Sequence, residues 1–454
     1  MKNKMNFNTA GMQLKSCKKY INGQSFFNAM KTVAIIGLGY VGLPLACLCA
    51  KKGYKVIGLE KNPEIIEKTN KGISHIMDEK LERDVKACKG KIMATNDAKK
   101  IGQAEFVVVC VPTPVDKRHM PDLAYVKNAS TVISQNMKKG QVVIIESTIH
   151  PGTVEEIVKP ILDKSKLKDG KDYFLAHCPE RVDPGNRNWG VENLPRVIGS
   201  TTKEGLAKAA AFYRTIIDAE ITELSSVKAA EAVKITENSF RDVNIAFVNE
   251  LAKSFDRAGI DITEVIRGAS TKPFAFMAHY PGCGVGGHCI PVDPYYLIEK
   301  ARDIGFEHKF LSLAREINNS MPDYTIELLE QEMQKMNKAI KGSKIGVLGV
   351  AYKKNVDDMR ESPALEIIEE LRQRGAEVIV FDPWVKKLSN VKNINSLLEQ
   401  CQYVIVATDH SEFTSLDASK FKFAGVKIII DGKNCLDKEK IKSTGIVYRG
   451  IGRR

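Results

Sequence analysis

Long hydrophobic runs are missing from this sequence of 454 residues. No apolar stretch approaches the roughly 18 residues that a membrane-spanning helix requires, so the sequence predicts a soluble, cytoplasmic protein with no membrane partner. Internal repeats and low-complexity tracts are missing as well. Hydrophobic residues make up 43% and charged residues 27% of the chain. This is an ordinary globular composition, which excludes the collagenous and disordered classes.

Cysteines with metal-binding or disulfide spacing are also missing. The ten cysteines include no CxxC pair and form no compact framework, which is typical of the reduced thiols of a cytosolic protein. Cys47 and Cys49 lie on an apolar helical stretch, and we expect both in the core. His288 has no second His or Cys at helical spacing, so no metal site is predicted.

Acidic residues are missing from positions 1–29, which hold five of the thirteen excess positive charges and leave +8 for the remainder. We expect this segment to be a disordered extension and the folded domains to begin at Met30. A basic chain invites a nucleic-acid partner. No helix-turn-helix, zinc module or aromatic-basic strand pattern supports one, so no nucleic-acid binding is predicted.

From Met30 onward, short apolar runs alternate with amphipathic segments, which is typical of a doubly wound parallel sheet. The strand candidates are 33–36, 55–59, 106–111, 142–146, 174–177, 344–349, 377–381, 403–407 and 427–431. Between the two groups of strands the pattern is helical, in 227–258, 295–305 and 310–337. The prediction is an α/β protein with two Rossmann-like doubly wound domains, 30–226 and 339–454, joined by a helical central domain, 227–338.

A glycine-rich loop follows the first strand candidate. Gly37, Gly39 and Gly42 form the pattern G-x-G-x-x-G between a strand and a helix. The pattern allows a tight turn, a close approach to a pyrophosphate and close helix–strand packing, and the helix N-terminus offers free N–H groups. Glu60 ends the second strand, where an acid bonds the ribose hydroxyls and repels a 2′-phosphate. The predicted cofactor is therefore NAD.

A second glycine-rich loop leads to a cysteine. Four glycines within residues 282–287 serve neither a helix nor a core, and they precede Cys289. A thiolate adds to carbonyl carbon, and Asp293 could handle water or a proton. Lys234 and Asn238 are four residues apart on a predicted helix and project from one face. We interpret His288 as structural or as tuning the thiolate.

These motifs together resemble the UDP-glucose/GDP-mannose dehydrogenase superfamily, over Met30 to about Arg449. The stretches that carry the resemblance are 37–42, 146–148, 151–153, 178–180, 231–238, 286–289 with Asp293, and 353 with 357–363. The resemblance implies an NAD-binding domain, a helical connector that dimerises and a C-terminal domain that holds the nucleotide. It also implies oxidation of a UDP-sugar at C6 to a carboxylate with two NAD⁺, for surface polysaccharide or glycan precursors, by a homodimer or higher homo-oligomer.

The resemblance further implies roles for individual residues. Lys234 and Asn238 would stabilise an oxyanion at C6, and Cys289 would form a thiohemiacetal and then a thioester. Water positioned by Asp293, with Thr148 or Glu180, would hydrolyse the thioester. The implied cofactor-binding residues are Gly37, Gly39, Tyr40, Val41, Gly42, Glu60, Thr113 and Thr148. The implied substrate-binding residues are Glu180, Arg181, Lys234, Asn238, Arg241, Phe274, Tyr280, Gly286, Lys353 and Arg360.

One position departs from the family pattern. UDP-glucose enzymes have a second carboxylate four residues after the one that matches Glu180, where this chain has Pro184. The role of that acid is therefore not transferred. In the C-terminal domain we expect Asp357 and Asp358 to orient the loop that carries Arg360. The tail arginines are expected to be solvated: Arg449, Arg453 and Arg454.

The segment 271–280 bears on the choice of sugar. It resembles the branch that acts on UDP-N-acetylhexosamines, particularly UDP-N-acetylglucosamine, because residues 275–280 lack the arginine typical of the UDP-glucose and UDP-N-acetylmannosamine enzymes. Phe274 and Phe276 could equally pack in a core. UDP-N-acetylmannosamine and UDP-glucose are the alternatives. A single-step β-hydroxyacid dehydrogenase is more remote, because it shares the glycine-rich start but needs no cysteine loop.

Overall fold

The computed structural model describes residues 31–116, 121–182 and 188–454. The predicted extension 1–29 and the departure at Pro184 lie outside these residues. Two sheets, each flanked by helices, are separated along the chain by a helical segment. This confirms the predicted α/β architecture, while the exact domain boundaries stay predictions.

The first sheet has eight strands in the spatial order 3-2-1-4-5-6-7-8. The strands are β1 Thr32–Ile36, β2 Lys55–Leu59, β3 Ile92–Thr95, β4 Phe106–Val109, β5 Val142–Ile145, β6 Phe174–His177, β7 Arg196–Ser200 and β8 Ile221–Glu223. All neighbours are parallel except β6 and β7, which run antiparallel. The β1, β4 and β5 strands consist mainly of buried β-branched residues, as expected for a sheet covered on both faces.

Helices cover both faces of this sheet. They are α1 Gly42–Lys51, α2 Pro63–Lys71, α3 Glu79–Ala87, α4 Ala124–Asn136, α5 Lys159–Leu162 and α6 Lys203–Ile216. The α1 helix is apolar and almost entirely buried. Cys47 and Cys49 on this helix lie in the core, as the sequence predicts.

Five helices form the middle of the chain: α7 Val227–Ala258, α8 Ile262–Ala269, α9 Asp293–Asp303, α10 Lys309–Asn319 and α11 Met321–Lys335. The Ser226 side chain caps the start of α7, and Gly259 ends it in a left-handed conformation. The helical pattern predicted over 310–337 corresponds to two helices, because the chain breaks at Ser320. Pro322 lacks the N–H that a continuous helix requires and instead stands in the first turn of α11.

The second sheet has five parallel strands in the order 10-9-11-12-13. They are β9 Lys344–Leu348, β10 Glu377–Phe381, β11 Tyr403–Val406, β12 Ile428–Asp431 and β13 Val447–Gly450. Its helices are α12 Pro363–Gln373, α13 Ile394–Leu398, α14 Ser411–Thr414, α15 Ala418–Phe423 and α16 Lys438–Ser443. In both sheets the strand order reverses beside the first strand, which creates a crevice at the carboxyl ends where ligands bind.

The sequence prediction missed four strands: β3, β7, β8 and β13. Each has only three to five residues and contains polar or glycine positions. Hydrophobic periodicity does not distinguish such short segments from loops, and only pairing with a neighbouring strand defines them.

The C-terminal tail is packed against the middle helices, so the expected solvated tail is wrong for Arg449. Its side chain is buried and bonds the Asp256 carboxylate at 2.8 Å and Glu332 of α11. Arg453 lies 3.2 Å from Asp261. Buried arginines need such partners because an unpaired charge inside a protein is costly.

Among the described residues, no helix has both the length and the apolar character needed to cross a bilayer.

Candidate active site

The loop between β1 and α1 packs tightly against neighbouring backbone at Gly37 and Gly42 and is accessible at Gly39. Gly37 has a φ of +90°, and a side chain there would begin 2.6 Å from the carbonyl oxygen of Cys110. A side chain on Gly42 would begin 1.9 Å from the carbonyl oxygen of Gly37. No heavy atom lies within 4 Å of the corresponding point at Gly39. The backbone is therefore accessible to a ligand at Gly39.

The groups around this opening suit a dinucleotide. The α1 helix starts after Val41, whose side chain forms no cap, so the first-turn N–H groups can bind phosphate. The Glu60 carboxylate, at the end of β2, accepts hydrogen bonds from the N–H groups of Leu38 at 3.0 Å, Lys61 at 2.8 Å and Asn62 at 3.1 Å. This arrangement holds an acid beside the loop, where the ribose of NAD would lie. The residues present fit NAD.

Replacing Glu60 with glutamine should change cofactor choice. The variant keeps an acceptor oxygen but loses the charge that repels a 2′-phosphate, so we expect the Kd for NADH to rise roughly 10-fold and the preference over NADPH to shrink. Fluorescence titration with both cofactors measures this. Glu64→Gln, an exposed acid paired with Lys68 on α2, is the control. An unchanged ratio of the two Kd values would contradict the assignment.

The remaining predicted cofactor residues lie on three different segments. The carbonyl of Thr113 accepts a hydrogen bond from the Tyr296 hydroxyl of α9 at 3.1 Å. Thr148 follows β5 at the carboxyl edge of the first sheet. The side chain of Tyr40 points away from the loop, and its hydroxyl donates to Asp357 at 3.5 Å.

The cysteine loop between α8 and α9 contacts both the middle helices and the second sheet region. The N–H of Gly282 donates to the Asn249 side chain of α7 at 3.0 Å. The N–H of Gly287 donates to the carbonyl of Arg360 at 2.9 Å. A side chain on Gly287, where φ is +90°, would begin 2.8 Å from the Tyr352 ring. Glycine is thus required for this close contact.

Four of the predicted catalytic residues lie near one another where this loop enters α9. Asn238 of α7 donates to the buried Asp293 carboxylate at 2.5 Å. The carbonyl of Cys289 accepts the N–H of Asp293 at 2.8 Å, which fixes the cysteine at the start of α9. Lys234 lies one turn before Asn238, and its charge acts on both Cys289 and Asp293.

Burial dominates the electrostatics of this cluster. It raises the pKa of the Cys289 thiol to about 12, and the Asp293 carboxylate adds to the rise while Lys234 opposes it. Burial also raises the pKa of Asp293 to about 7, against the effects of the Asn238 hydrogen bond and the Lys234 ammonium. The cysteine is therefore a protonated thiol at neutral pH. Asp293 is a carboxyl poised to exchange a proton in that range.

Glu180 lies in a separate buried group that the sequence prediction missed. Its Oε1 atom accepts hydrogen bonds from the N–H groups of Arg181 at 2.6 Å and Val182 at 2.7 Å, and it pairs with Arg196 at 3.0 Å. Arg196 is fully buried, and Glu146, whose pKa burial raises, lies near it. An arginine in a short strand gives no sequence signal of burial, so only the fold identifies this pair.

The other predicted substrate residues outside the second sheet region are one paired arginine and three exposed side chains. The Arg181 guanidinium lies 2.6 Å from the Glu237 carboxylate of α7, next to Asn238. Arg241 of α7 is exposed. The side chains of Phe274, Phe276 and Tyr280 are 67%, 37% and 60% exposed. The packed core predicted as an alternative for Phe274 and Phe276 is therefore wrong.

The segment 350–361 of the second sheet region carries the predicted nucleotide-binding residues Lys353 and Arg360. The Arg360 guanidinium is held by Asp358, with Nε 2.9 Å from Oδ1. This agrees with the expected orienting role of Asp358. Gly286 of the cysteine loop packs against Tyr352 of the same segment. The segment therefore lies directly beside the loop that carries Cys289.

Two buried residues anchor this segment, and the sequence prediction missed both. Asp382, after β10, accepts hydrogen bonds from the N–H groups of Val350 at 2.6 Å and Ala351 at 2.9 Å. His410, after β11, lies 3.1 Å from the same carboxylate and accepts the N–H of Asn355 at 2.9 Å through its other nitrogen. Both residues follow the carboxyl end of a strand, and this position is the one sequence signal that could have identified them.

Two more polar residues border the cysteine loop. The Lys433 ammonium lies 3.8 Å from the point where a side chain on Gly282 would begin, and Lys433 follows β12 at the carboxyl edge. Burial lowers the pKa of His288 to about 4, so this imidazole is neutral. Within residues 31–116, 121–182 and 188–454, no cluster of three or more His, Cys, Asp or Glu side chains could hold a metal ion.

Comparison with known proteins places this geometry in context. Three models of the UDP-glucose/GDP-mannose dehydrogenase family match: the NAD binding domain over 31–217, the central domain over 228–320 and the UDP binding domain over 346–438. A UDP-N-acetyl-D-mannosamine dehydrogenase of Pyrococcus horikoshii is 37% identical over 424 residues, 93% of this chain and 99% of the relative. A UDP-N-acetyl-D-glucosamine 6-dehydrogenase of Pseudomonas aeruginosa is 37% identical over 90% of this chain and 98% of the relative.

A solved structure has the same fold over almost its whole length. The UDP-D-ManNAc dehydrogenase structure from Pyrococcus horikoshii aligns with a TM-score of 0.87 at 36% sequence identity. The alignment covers 93% of this chain and 99% of that one.

Proposed function

This chain belongs to the UDP-glucose/GDP-mannose dehydrogenase family and is an NAD-dependent UDP-sugar dehydrogenase, and from this premise we propose that it oxidises the C6 alcohol of a UDP-N-acetylhexosamine to a carboxylate. One observation carries the proposal. Cys289 lies with Lys234, Asn238 and Asp293 beside the segment 350–361. A nucleophile, oxyanion donors and a titrating acid are thus assembled where a nucleotide-sugar would end.

The first oxidation converts the C6 alcohol to an aldehyde, and in each of the two oxidations the proton of the C6 hydroxyl leaves to solvent. NAD, when bound at the glycine-rich loop, supplies the acceptor for the hydride that leaves C6 in each oxidation. Lys234 and Asn238 project from one face of α7, and they stabilise the negative charge that develops on the C6 oxygen. Because α7 is a long packed helix, the two donors are preorganised and need no rearrangement during the reaction.

Cys289 then holds the sugar covalently. The thiol loses its proton, and the sulfur adds to the aldehyde carbon to form a thiohemiacetal. After a second hydride has left C6, the sulfur-bound carbon is a thioester. The covalent bond keeps the reactive aldehyde in the site between the two oxidations, which prevents its escape.

Asp293 acts as the proton acceptor in this scheme. As a carboxylate it accepts the proton from the Cys289 thiol, and later from the water that attacks the thioester. The C–S bond breaks, the sulfur regains a proton and the sugar leaves as a carboxylate. One water and two hydride acceptors are consumed for each sugar. The hydrogen bond from Asn238 fixes the orientation of the Asp293 carboxylate throughout.

The configuration of the sugar at C2, which distinguishes N-acetylglucosamine from N-acetylmannosamine, is a second part of the proposal. The absence of arginine from 275–280 supports N-acetylglucosamine, as the sequence interpretation has it. The names of the relatives support both epimers, with N-acetylmannosamine the more frequent. We propose the UDP-N-acetylhexosamine class, and the two epimers are the first pair to compare.

A panel of sugars tests the proposal. The full chain is incubated with NAD and limiting UDP-GlcNAc, UDP-ManNAc, UDP-GalNAc or UDP-glucose, and NADH is counted by absorbance. We expect two NADH for each molecule of at least one UDP-N-acetylhexosamine. A yield of one would favour a single-step dehydrogenase, and turnover of UDP-glucose alone would contradict the sugar class.

Two further properties are proposals of the same kind. The α7 helix exposes Phe240 and Phe247, two turns apart, which supports assembly of two copies through the middle helices. The nine described cysteines are all free thiols, which supports a cytoplasmic location.

A further inference from the structure

Tyr296 is a fully buried tyrosine in the first turn of α9. It lies three residues after Asp293, so the two side chains project from the same side of the helix. Tyr296 belongs, with Val292, to an apolar cluster that includes residues of β1, β4 and β5. The start of α9, which carries the Asp293 carboxylate, is therefore packed directly against the core of the first sheet.

The hydroxyl of Tyr296 reaches the loop after β4. It lies 3.1 Å from the carbonyl oxygen of Thr113 and 3.3 Å from that of Pro114, so its single proton is shared between the two. The N–H of Asp122 also donates to the Pro114 carbonyl, at 2.8 Å. Pro112 and Pro114 have no N–H group and cannot continue the hydrogen-bond ladder of β4. A side chain of α9 therefore bonds the backbone of this loop where a neighbouring strand does not.

A second loop at the same edge of the sheet contacts the Tyr296 ring. The centre of the His150 ring lies 6.2 Å from the centre of the tyrosine ring, within the usual range of aromatic pairs. His150 stands two residues after Thr148 in the loop after β5. Thr113 and Thr148, both predicted to bind the cofactor, thus lie on the two loops that Tyr296 contacts.

The hydroxyl is the informative part of this side chain. A phenylalanine would fill nearly the same space without burying a polar group, and a buried hydroxyl is costly unless it is hydrogen-bonded. Burial raises the pKa of Tyr296, and the Asp293 carboxylate adds to the rise, so the hydroxyl keeps its proton. It is therefore a permanent donor from α9 to the loop after β4.

We propose that Tyr296 is a positioning residue that fixes the loop after β4, and the cofactor bound there, relative to Cys289 and Asp293. It acts through the Thr113 carbonyl on one side and on the other through α9, whose first N–H bonds the Cys289 carbonyl. Hydride transfer requires close alignment of donor and acceptor, so a small displacement of the cofactor lowers the rate. This inference rests on the proposed function, because it takes Cys289 as the nucleophile and the loop after β4 as part of the cofactor site.

The test compares Tyr296→Phe with Tyr295→Phe in the full chain. Both variants lose one hydroxyl from adjacent positions of α9, but the Tyr295 hydroxyl faces α10, where it accepts a hydrogen bond from Asn319 at 3.4 Å. For Tyr296→Phe we expect the KM for NAD to rise roughly 3- to 10-fold through one lost hydrogen bond, and kcat to fall roughly 10-fold through misalignment. The KM for the UDP-sugar should stay within about 2-fold of the wild type. Tyr295→Phe should keep all three values.

Two results would overturn the inference. If Tyr296→Phe lowers only the melting temperature and keeps both the KM for NAD and kcat, the hydroxyl is merely structural. If the KM for the UDP-sugar rises and the KM for NAD does not, the side chain serves the substrate instead.

A wild type that oxidises no UDP-sugar would contradict the proposed function and leave the role of Tyr296 open to a separate measurement. Fluorescence titration with NADH needs no turnover and decides that case. A Kd raised roughly 3- to 10-fold in Tyr296→Phe but not in Tyr295→Phe supports the inference, and an unchanged Kd contradicts it.

Discussion

Replacing Cys289 with alanine should abolish formation of the acid. Without the sulfur there is no covalent intermediate to carry the sugar to the second oxidation, so we expect acid production to fall by at least about 1,000-fold. NADH binding should persist, because the glycine-rich loop and Glu60 do not contact Cys289. Mass spectrometry of the product and NADH fluorescence measure the two effects.

A second cysteine in the same loop provides a matched control. Cys283 is buried, and its thiol donates to the carbonyl of Ala407 at 3.5 Å. Cys283→Ala removes a sulfur of the same loop without touching the start of α9, so acid production should stay within a few-fold of the wild type. Acid production by Cys289→Ala at the wild-type rate would refute the thioester route.

Replacing Asp293 with asparagine should remove the acid limb of the pH profile. The raised pKa of Asp293, about 7, means that below neutral pH the carboxyl is protonated and does not accept a proton from Cys289 or water. The kcat/KM of the wild type should therefore rise as the pH increases through about 7, since this parameter reports the free enzyme. The variant should lose this rise and about 100- to 10,000-fold in kcat, the usual contribution of a general base.

The control for this experiment lies on the same helix. Asp303 is an exposed acid at the end of α9, and Asp303→Asn should leave both the rate and the pH profile unchanged. A rise near pH 7 that persists in Asp293→Asn would assign the titration to another group. Thermal denaturation of each variant separates loss of chemistry from loss of fold.

Local patterns were sufficient to predict the parts of this molecule whose geometry depends on neighbours in sequence. The glycine spacing at 37–42 predicted the tight loop between β1 and α1, since Gly37 has a φ of +90° and a side chain on Gly42 would meet the carbonyl of Gly37. Lys234 and Asn238 were placed on one face because helical periodicity alone brings residues four apart together. The density of glycines before Cys289 predicted a loop, and the chain forms a loop between α8 and α9 there.

The remaining features depend on contacts between distant segments, which spacing does not encode. The bond from Asn238 to Asp293 joins residues on α7 and α9, and the contact of Tyr40 with Arg360 joins two sheet regions. Arg196 is buried and pairs with Glu180, which lies on a different segment of the chain. Polar residues are predicted at the surface by default, so the buried pairs of a fold are the features that sequence patterns miss most often.

The burial of Asp382 indicates that the first and second sheet regions have different roles. It stands after the second strand in sequence of its sheet, as Glu60 does in the first, so the two acids occupy equivalent places. Glu60 is partly exposed and accepts the N–H of Leu38, the neighbour of Gly39. Asp382 is fully enclosed, and its oxygens are saturated by four backbone N–H groups and His410.

An acid committed in this way has no lone pair left for a ribose diol. The second sheet region thus has the strand arrangement of a dinucleotide-binding fold, but Asp382 stabilises neighbouring backbone instead of binding a ribose. Under the proposed function, a chain with one exposed acid at this position performs a four-electron reaction with a two-electron carrier. NADH must therefore dissociate and NAD⁺ must bind between the two oxidations. Turnover should then show an inhibitory dependence on NADH that reports this exchange at the half-oxidised, sulfur-bound stage.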